Sequence, residues 1–233
     1  MEAWVAKLGQ MDYNEALMLQ EKLLFLRQKK EIPDVFILLE HPPLLTLGVR
    51  AKESNILVPE DILSEQGISV YRINRGGDVT YHGPGQIVGY PILDLNDQGR
   101  DIHLFVSKIE ETFIQLLKNE YGITAGRNQK HTGVWVGDDK ITAIGISVKK
   151  WVTMHGFAFN VNTNLDHFKW IIPCGIKDKG VTSLKKLLGY ELDMDKLNNQ
   201  VIEYFANQFH MSYELLDKQT LIERIGEESD RYE

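Results

Sequence analysis

Three stretches of the chain place apolar residues three and four positions apart, the spacing of an amphipathic helix. Residues 12–29 carry one such stripe after Asp12, residues 102–118 a second after Asp101, and residues 195–209 a third. An aspartate just before a stripe is a favourable helix N-cap, because its carboxylate accepts hydrogen bonds from the first backbone N–H groups. We therefore predict three helices, and we assign their apolar stripes to the hydrophobic core.

Shorter segments rich in β-branched and aromatic residues have the length of strands. They are residues 35–39, 44–49, 68–73, 86–93, 132–136, 141–148 and 155–161. Gly137, Asp138 and Asp139 supply turn chemistry between two of them, so residues 132–148 are predicted to form a hairpin. Because helices are inserted only occasionally, the pattern predicts an α+β fold with a mixed or antiparallel sheet and flanking helices. The charged tail over residues 223–233 is expected to be frayed.

The chain has 233 residues, 43% hydrophobic and 25% charged, which is typical of a globular protein with a sizeable core. Since no linker-like stretch interrupts it, we predict a single domain over residues 1–233 with a core at about 30–215. The net charge of −7 argues against general nucleic-acid binding, which leaves a basic footprint. No apolar run has the length of a membrane helix, and no signal-peptide pattern is found. With one cysteine the chain cannot form an internal disulfide, and a cytoplasmic location is expected.

The first segment with candidate chemistry is residues 75–86, which read RGGDVTYHGPGQ after a predicted strand. Glycines let backbone N–H groups approach a ligand closely, and the segment brings Arg75 and His82 to one loop. A surface turn between two strands is the alternative interpretation. The glycine spacing matches neither a P-loop nor the dinucleotide-binding fingerprint, so neither kind of nucleotide site is indicated.

The single cysteine, Cys174, lies between Pro173 and Gly175. A lone cysteine in apolar surroundings is usually a small buried hydrophobic residue. Proline and glycine on either side favour a turn, which exposes the sulfur, so Cys174 is a candidate nucleophile. Lys140, beside the predicted hairpin turn, is either an ordinary surface lysine or part of a ligand-binding wall. The seven histidines show no spacing typical of metal ligands, and no metal is expected.

Together these segments resemble the octanoyltransferases of lipoate synthesis, also called lipoyl(octanoyl) transferases. The family patterns are RGG-x-x-T-x-HGPGQ, G-V-W-V…K-I-x-A-I-G, HGFA-x-N-V and PCGI, and residues 75–86, 133–145, 155–161 and 173–176 meet them in this order. The resemblance runs over about residues 35–185. It implies the α+β fold shared by biotin and lipoate protein ligases.

The resemblance also implies site residues and partners. It implies a catalytic Cys/Lys pair at Cys174 and Lys140, octanoyl-acyl carrier protein as the donor, and no cofactor. The implied acceptors are lipoyl domains of 2-oxoacid dehydrogenase complexes and the glycine cleavage H protein. The implied substrate contacts are Arg75, Gly76, Gly77, Asp78, Val79, Thr80, Tyr81 and His82, then Ala143, Ile144 and Gly145, and finally Gly156, Phe157 and Ala158.

A cysteine suits such a reaction, because thiol exchange conserves the energy of the donor thioester without ATP. A free thiol has a pKa of about 8.5, and a lysine ammonium about 4–6 Å away favours the thiolate. We expect Lys140 to lower the pKa of the Cys174 thiol and then, as an amine, to accept the proton of the attacking lysine. The oxyanion is expected to bind backbone N–H groups of Gly76 and Gly77 or those flanking Cys174. His82 either donates to the same oxygen or orients the loop.

Three other functions fit parts of this pattern. An ATP-dependent lipoate or biotin ligase on the same fold needs no cysteine. A transferase that moves octanoate between two lipoyl-domain proteins uses a different donor. A carrier-protein binding module without catalytic activity acquires no acyl adduct, and this distinguishes it from a transferase.

Overall fold

The computed structural model describes residues 2–175 and 179–230, the side chains of Cys174 and of residues 227–230 excepted. The strands in this part are β1 (Glu2–Gln10), β2 (Asp34–Glu40), β3 (Leu44–Leu47), β4 (Ser69–Arg72), β5 (Val79–His82), β6 (Gln86–Ile92), β7 (Gly126–Arg127), β8 (Val134–Val136), β9 (Asp139–Lys149), β10 (Val152–Asn160), β11 (Gly180–Val181) and β12 (Ser212–Leu216). The helices are α1 (Tyr13–Gln28), α2 (Glu60–Glu65), α3 (Ile102–Tyr121), α4 (Leu184–Leu188), α5 (Met194–Phe209) and α6 (Lys218–Asp230).

A mixed sheet runs through the centre of the molecule in the order β12-β1-β2-β6-β10-β9-β8-β7, and β11 pairs with β9 outside this order. β1 is parallel to both β12 and β2. From β2 through β6, β10 and β9 to β8, neighbouring strands are antiparallel. The predicted hairpin is β8 and β9, whose pairing begins at Val136 and Asp139. The α+β prediction with a mixed sheet is therefore confirmed.

The three predicted helices are present as α1, α3 and α5, and they cover the two faces of the central sheet. The Asp12 carboxylate accepts from two backbone N–H groups at the start of α1, and Asp101 accepts from that of Leu104 in α3, as expected for N-caps. The apolar side chains of α3 and α5 pack on one face of the sheet, whereas those of α1 and α6 pack on the other. The helices thus complete two hydrophobic layers.

A second sheet, in the order β4-β3-β5, lies over a smaller apolar cluster that includes Phe168 and Ile171. Its strand β5 is formed by residues that the sequence analysis assigned to a loop. The expectation of a frayed tail is also wrong over most of its length, since α6 extends to Asp230. Leu221 and Ile225 are buried against the central sheet and explain why this charged segment is helical. No helix within residues 2–175 and 179–230 is long and apolar enough to cross a membrane.

Candidate active site

Two adjoining cavities lie beside β9 and β10. The first contains about 390 Å³ of empty space, open mouth included, and is lined by Lys140 and Pro173. The second contains about 500 Å³ on the same measure and is lined by Arg75 and His82. Three residues line both cavities, and they are Thr80, Ala143 and Ala158. The two cavities therefore form one groove, with the lysine at one end and the arginine at the other.

Lys140 lies on β9 and is only 7% exposed. Its Nζ atom is 4.9 Å from the centroid of the Trp135 ring, a cation–π geometry. Gly133 leaves room for the lysine stem, because a Cβ atom there would lie 3.3 Å from Lys140 Cε. A buried lysine side chain at the wall of a cavity is not a solvated surface group. The surface-lysine interpretation of Lys140 is therefore excluded.

The backbone of Cys174 lies in a short 3-10 turn, Pro173–Gly175, as its flanking residues predicted. The Gly175 N–H group donates to the Ile172 carbonyl at 2.9 Å and closes this turn. Pro173 and Lys140 line the same cavity. The side chain of Cys174, which the nucleophile prediction concerns, lies outside the described residues, as does the last residue of the PCGI block.

A buried asparagine connects this turn to the arginine loop. The Asn55 carbonyl accepts from the Ile172 N–H group at 2.7 Å, and Asn55 Nδ2 donates to Asp78 Oδ2 at 2.7 Å. The other carboxylate oxygen, Asp78 Oδ1, accepts from the Val79 N–H group at 2.7 Å. A Cβ atom on Gly175 would lie 2.7 Å from Asp78 Oδ2, so the carboxylate also touches the turn. Asp78 thus holds the cysteine turn in addition to lining the second cavity.

Arg75 is buried, and its guanidinium group is directed at protein oxygens. Nη2 donates to the Thr46 carbonyl at 2.7 Å and to the Asp78 carbonyl at 2.8 Å, while Nη1 donates to the Gly76 carbonyl at 3.0 Å. Nε donates to Thr46 Oγ1 at 3.2 Å. These contacts tie β3 to the loop, so the arginine shapes the second cavity by ordering its backbone.

His82 has a partner on each ring nitrogen. Nδ1 is 2.8 Å from Gln86 Oε1, and Nε2 is 3.2 Å from Thr46 Oγ1. Burial, followed by the nearby His41 and Arg75, lowers the pKa of His82 to about 3. The ring is therefore neutral at pH 7 and bound on both sides. Of the two roles left open by the sequence, this geometry favours orienting the loop.

Eleven of the fourteen predicted substrate contacts line the second cavity, whereas Gly76, Val79 and Tyr81 line neither cavity. Those lining the second cavity are Arg75, Gly77, Asp78, Thr80, His82, Ala143, Ile144, Gly145, Gly156, Phe157 and Ala158. Val79 and Tyr81 instead pack in the small apolar cluster, because alternate residues of β5 point to opposite sides. Their side chains line neither cavity, and their assignment as substrate contacts stays a prediction.

Two of the backbone donors expected for an oxyanion already have acceptors in the protein. The Gly76 N–H group donates to the Ile146 carbonyl at 3.0 Å and attaches the loop to β9. The Gly175 N–H group donates within its own turn. Neither group is available to an oxyanion in this conformation, which corrects the prediction for these two donors.

Comparison with known proteins identifies the class to which this fold and groove belong. The family model of the lipoyl protein ligase A/B catalytic domain matches residues 12–206. The chain therefore belongs to the lipoyl protein ligase A/B catalytic domain family.

Within this family the chain is similar to proteins named octanoyltransferase. One from Desulforamulus reducens is 60% identical over 98% of this chain and 100% of its own length. One from Caldicellulosiruptor saccharolyticus is 54% identical over 99% of this chain and 100% of its own length. The enzyme is thus an acyltransferase of the octanoyltransferase group, and the resemblance stated from the sequence is confirmed.

Solved structures confirm the fold. A lipoate-protein ligase A bound with ATP has a TM-score of 0.77 at 17% identity, covering 99% of this chain and 94% of that one. A bi-partite lipoate protein ligase from Thermoplasma acidophilum, studied with its E2 lipoyl domain, has a TM-score of 0.73 at 17% identity over 99% and 91%. A biotin protein ligase from Aquifex aeolicus has a TM-score of 0.54 at 14% identity over 88% and 69%.

Proposed function

We propose that this enzyme transfers an octanoyl group from octanoyl-acyl carrier protein to the target lysine of lipoyl domains, through a thioester on Cys174. The acceptors are the lipoyl domains of 2-oxoacid dehydrogenase complexes and the glycine cleavage H protein. The observation that carries the proposal is the buried Lys140 side chain in a cavity that the turn of Cys174 also borders. The name octanoyltransferase of its relatives supports octanoyl as the transferred group, and the ligase studied with its E2 lipoyl domain supports the acceptor class.

In the first step the Cys174 thiolate attacks the carbonyl carbon of the donor thioester. The new carbon–sulfur bond forms as the bond to the carrier thiol breaks. The proton of the Cys174 thiol passes to Lys140 and then to the departing carrier thiolate. One thioester replaces another, so the step is close to balanced in energy and requires no nucleotide.

In the second step the amine of the acceptor lysine attacks the Cys174 thioester. A carbon–nitrogen bond forms, the Cys174 thiolate leaves, and Lys140 as an amine accepts the proton lost by the attacking nitrogen. The product is an amide, which is more stable than the thioester and makes the transfer favourable. Lys140 thus serves both steps from one position.

The second cavity supplies a place for the acyl chain. Its wall includes the apolar residues Val88, Ile144 and Phe157, and it continues into the first cavity through two alanines. Burying a CH₂ group contributes about 0.8 kcal/mol, so an octanoyl chain placed there gains about 5 kcal/mol. A nucleophilic thiol needs reducing surroundings, and we assign the reaction to the cytoplasm.

Intact-mass measurement after incubation with octanoyl-acyl carrier protein tests the proposal. We expect one octanoyl adduct on the wild-type chain, none on Cys174→Ala, and loss of the adduct when a lipoyl domain is added. Lys140→Ala should acylate much more slowly at neutral pH.

Three outcomes would overturn the proposal. Turnover by Cys174→Ala with strict ATP dependence would indicate a ligase. Acylation by an octanoylated lipoyl domain and not by the carrier protein would change the donor. Binding of the carrier protein with no adduct would indicate a binding module.

A further inference from the structure

A buried asparagine at the end of β10 faces the backbone beside Lys140. Asn160 Nδ2 lies 3.1 Å from the carbonyl oxygen of Thr182, which can only accept a hydrogen bond. The amide of Asn160 must therefore direct its NH₂ group to Thr182 and its oxygen to the other side. The Thr182 N–H group in turn donates to the Lys140 carbonyl at 3.0 Å, and Val181 pairs with Lys140 across β11 and β9.

The oxygen of Asn160 faces a second buried amide. Gln86 Nε2 donates to Asn160 Oδ1 at 2.9 Å and to the Tyr81 carbonyl at 3.1 Å. With its NH₂ group used in this way, Gln86 presents Oε1 to His82. Nδ1 of His82 must then carry the ring proton, which leaves Nε2 as an acceptor.

The chain of hydrogen bonds ends at the arginine of the second cavity. His82 Nε2 accepts from the Thr46 hydroxyl at 3.2 Å. The lone pairs of Thr46 Oγ1 accept from Arg75 Nε at 3.2 Å and from Arg75 Nη2 at 2.8 Å. Each link thus has one permitted direction, set by a guanidinium group at one end and a backbone carbonyl at the other.

We infer that Asn160 is a positioning residue for the Lys140–Cys174 pair, because it joins the arginine loop to the strand beside Lys140. The hydrogen-bonded side-chain amides of Gln86 and Asn160 lie at the wall of the first cavity, which both residues border. Thr182 directly follows β11, so the same hydrogen bond holds the end of β11 beside β9. This inference rests on the proposed role of Lys140 as the partner of the thiol.

The single cysteine makes the inference directly measurable, because an alkylating reagent reports on Cys174 alone. The rate of alkylation by iodoacetamide is measured against pH, and the pH at which this rate is half its maximum is the alkylation midpoint. Asn160→Leu keeps the size of the side chain and removes both hydrogen bonds. We expect its alkylation midpoint to move up towards that of a free thiol, with a rate about five- to tenfold lower at pH 7 and an unchanged plateau at high pH. Lys140→Ala should move the midpoint in the same direction.

Asn162→Leu is the matched control. Asn162 Nδ2 donates to the Leu192 carbonyl at 2.8 Å, and its Oδ1 accepts from the Leu192 N–H group at 3.0 Å, so this asparagine also bridges to backbone but stands outside the chain of hydrogen bonds. Its substitution should lower stability and leave the alkylation midpoint at the wild-type value. If Asn160→Leu does not fold, Asn160→Ser is compared with Asn162→Ser in the same way, since serine is too short to span both partners.

The outcomes separate this inference from the proposed function. A folded Asn160 variant with a wild-type midpoint, beside a shifted Lys140→Ala, would overturn the positioning role and leave the Cys174–Lys140 pair intact. An unshifted Lys140→Ala would overturn the pair itself. Equal shifts in the Asn160 and Asn162 variants would assign the effect to general loss of stability and would also refute the inference.

Discussion

Three buried histidines predict that this enzyme loses stability as the pH falls from 7 to 5. Burial lowers the pKa of His41 to about 4, that of His82 to about 3 and that of His155 to about 4. Arg75 further opposes protonation of the last two. His41 Nδ1 is 2.8 Å from the Met11 carbonyl, and this contact, which favours the charged ring, does not offset the burial.

The sign follows from where the proton binds. An unfolded histidine has a pKa of 6.5, so below that value the unfolded chain takes up protons that the folded chain excludes. Stability is therefore fully present above pH 6.5 and declines as the pH falls towards 4. Each of the three histidines lowers the free energy of unfolding by about 1.4 kcal/mol per pH unit as the pH falls through this window, or by about 2 kcal/mol between pH 7 and 5. Together the three histidines lower the free energy of unfolding by about 6 kcal/mol, which is comparable with the whole stability of many domains.

Urea unfolding at pH 7, 6 and 5, followed by the fluorescence of the four tryptophans, measures this loss. We expect the urea concentration at the unfolding midpoint to fall by about 2 M between pH 7 and 5. His41→Gln should reduce the pH dependence by about a third, whatever it does to stability at pH 7. His103→Gln, at an exposed histidine, should leave the dependence unchanged. A midpoint that is the same at pH 5 and pH 7 would refute the reasoning, because it would mean that the buried rings titrate as they do in the unfolded chain.

Two substitutions test the contacts around the groove. Gly175→Ala places a Cβ atom 2.7 Å from Asp78 Oδ2 at a φ of +69°, and should lower acyl transfer by at least about tenfold. Gly122→Ala, at a φ of +65° with nothing within 4 Å, bears the same backbone strain and should lose only about 1 kcal/mol with normal activity. Equal activity losses would contradict the contact with the carboxylate. Tyr13→Phe removes a buried hydroxyl without a hydrogen-bond partner among the described residues, and thermal unfolding should show a neutral or about 1 kcal/mol stabilising effect. A loss of stability would reveal a partner.

The elements predicted correctly are those whose buried residues recur at the regular spacing of a helix or a strand. α3 buries a continuous stripe, and both α1 and α3 begin at aspartates that act as caps. The elements that were missed lack this signal. β12 has one buried residue, and α6 is largely charged and is held by two apolar side chains, Leu221 and Ile225. β1 pairs with β2 and with β12 in parallel, and such long-range pairing leaves no local pattern in the sequence.

Residues of the candidate site could be predicted where they belong to a motif of unusual composition. Residues outside the motifs, which act by binding motif residues, were missed. Thr46 and Asn55 belong to no motif, yet they bind the guanidinium of Arg75 and the carboxylate of Asp78. Both come from the segment that includes the second sheet, and their proximity to the groove depends on how that sheet folds over the first. Asn160 stands inside the HGFA-x-N-V block, but the role of an amide depends on which atoms it faces.

Glycines in the motifs explain why a pattern cannot by itself separate ligand contact from packing. Gly156 was predicted to touch substrate, and it does line the second cavity. Yet a Cβ atom on Gly156 would lie 2.0 Å from the Gly89 carbonyl oxygen, and one on Gly89 would lie 2.2 Å from Phe157 Cζ. The absence of a side chain at both positions is therefore required by the close pairing of β6 with β10, whether or not a ligand is bound. That pairing places Phe157 and Ala158 against the groove, so the wall proposed to bind the acyl chain and the packing of the central sheet depend on the same two glycines.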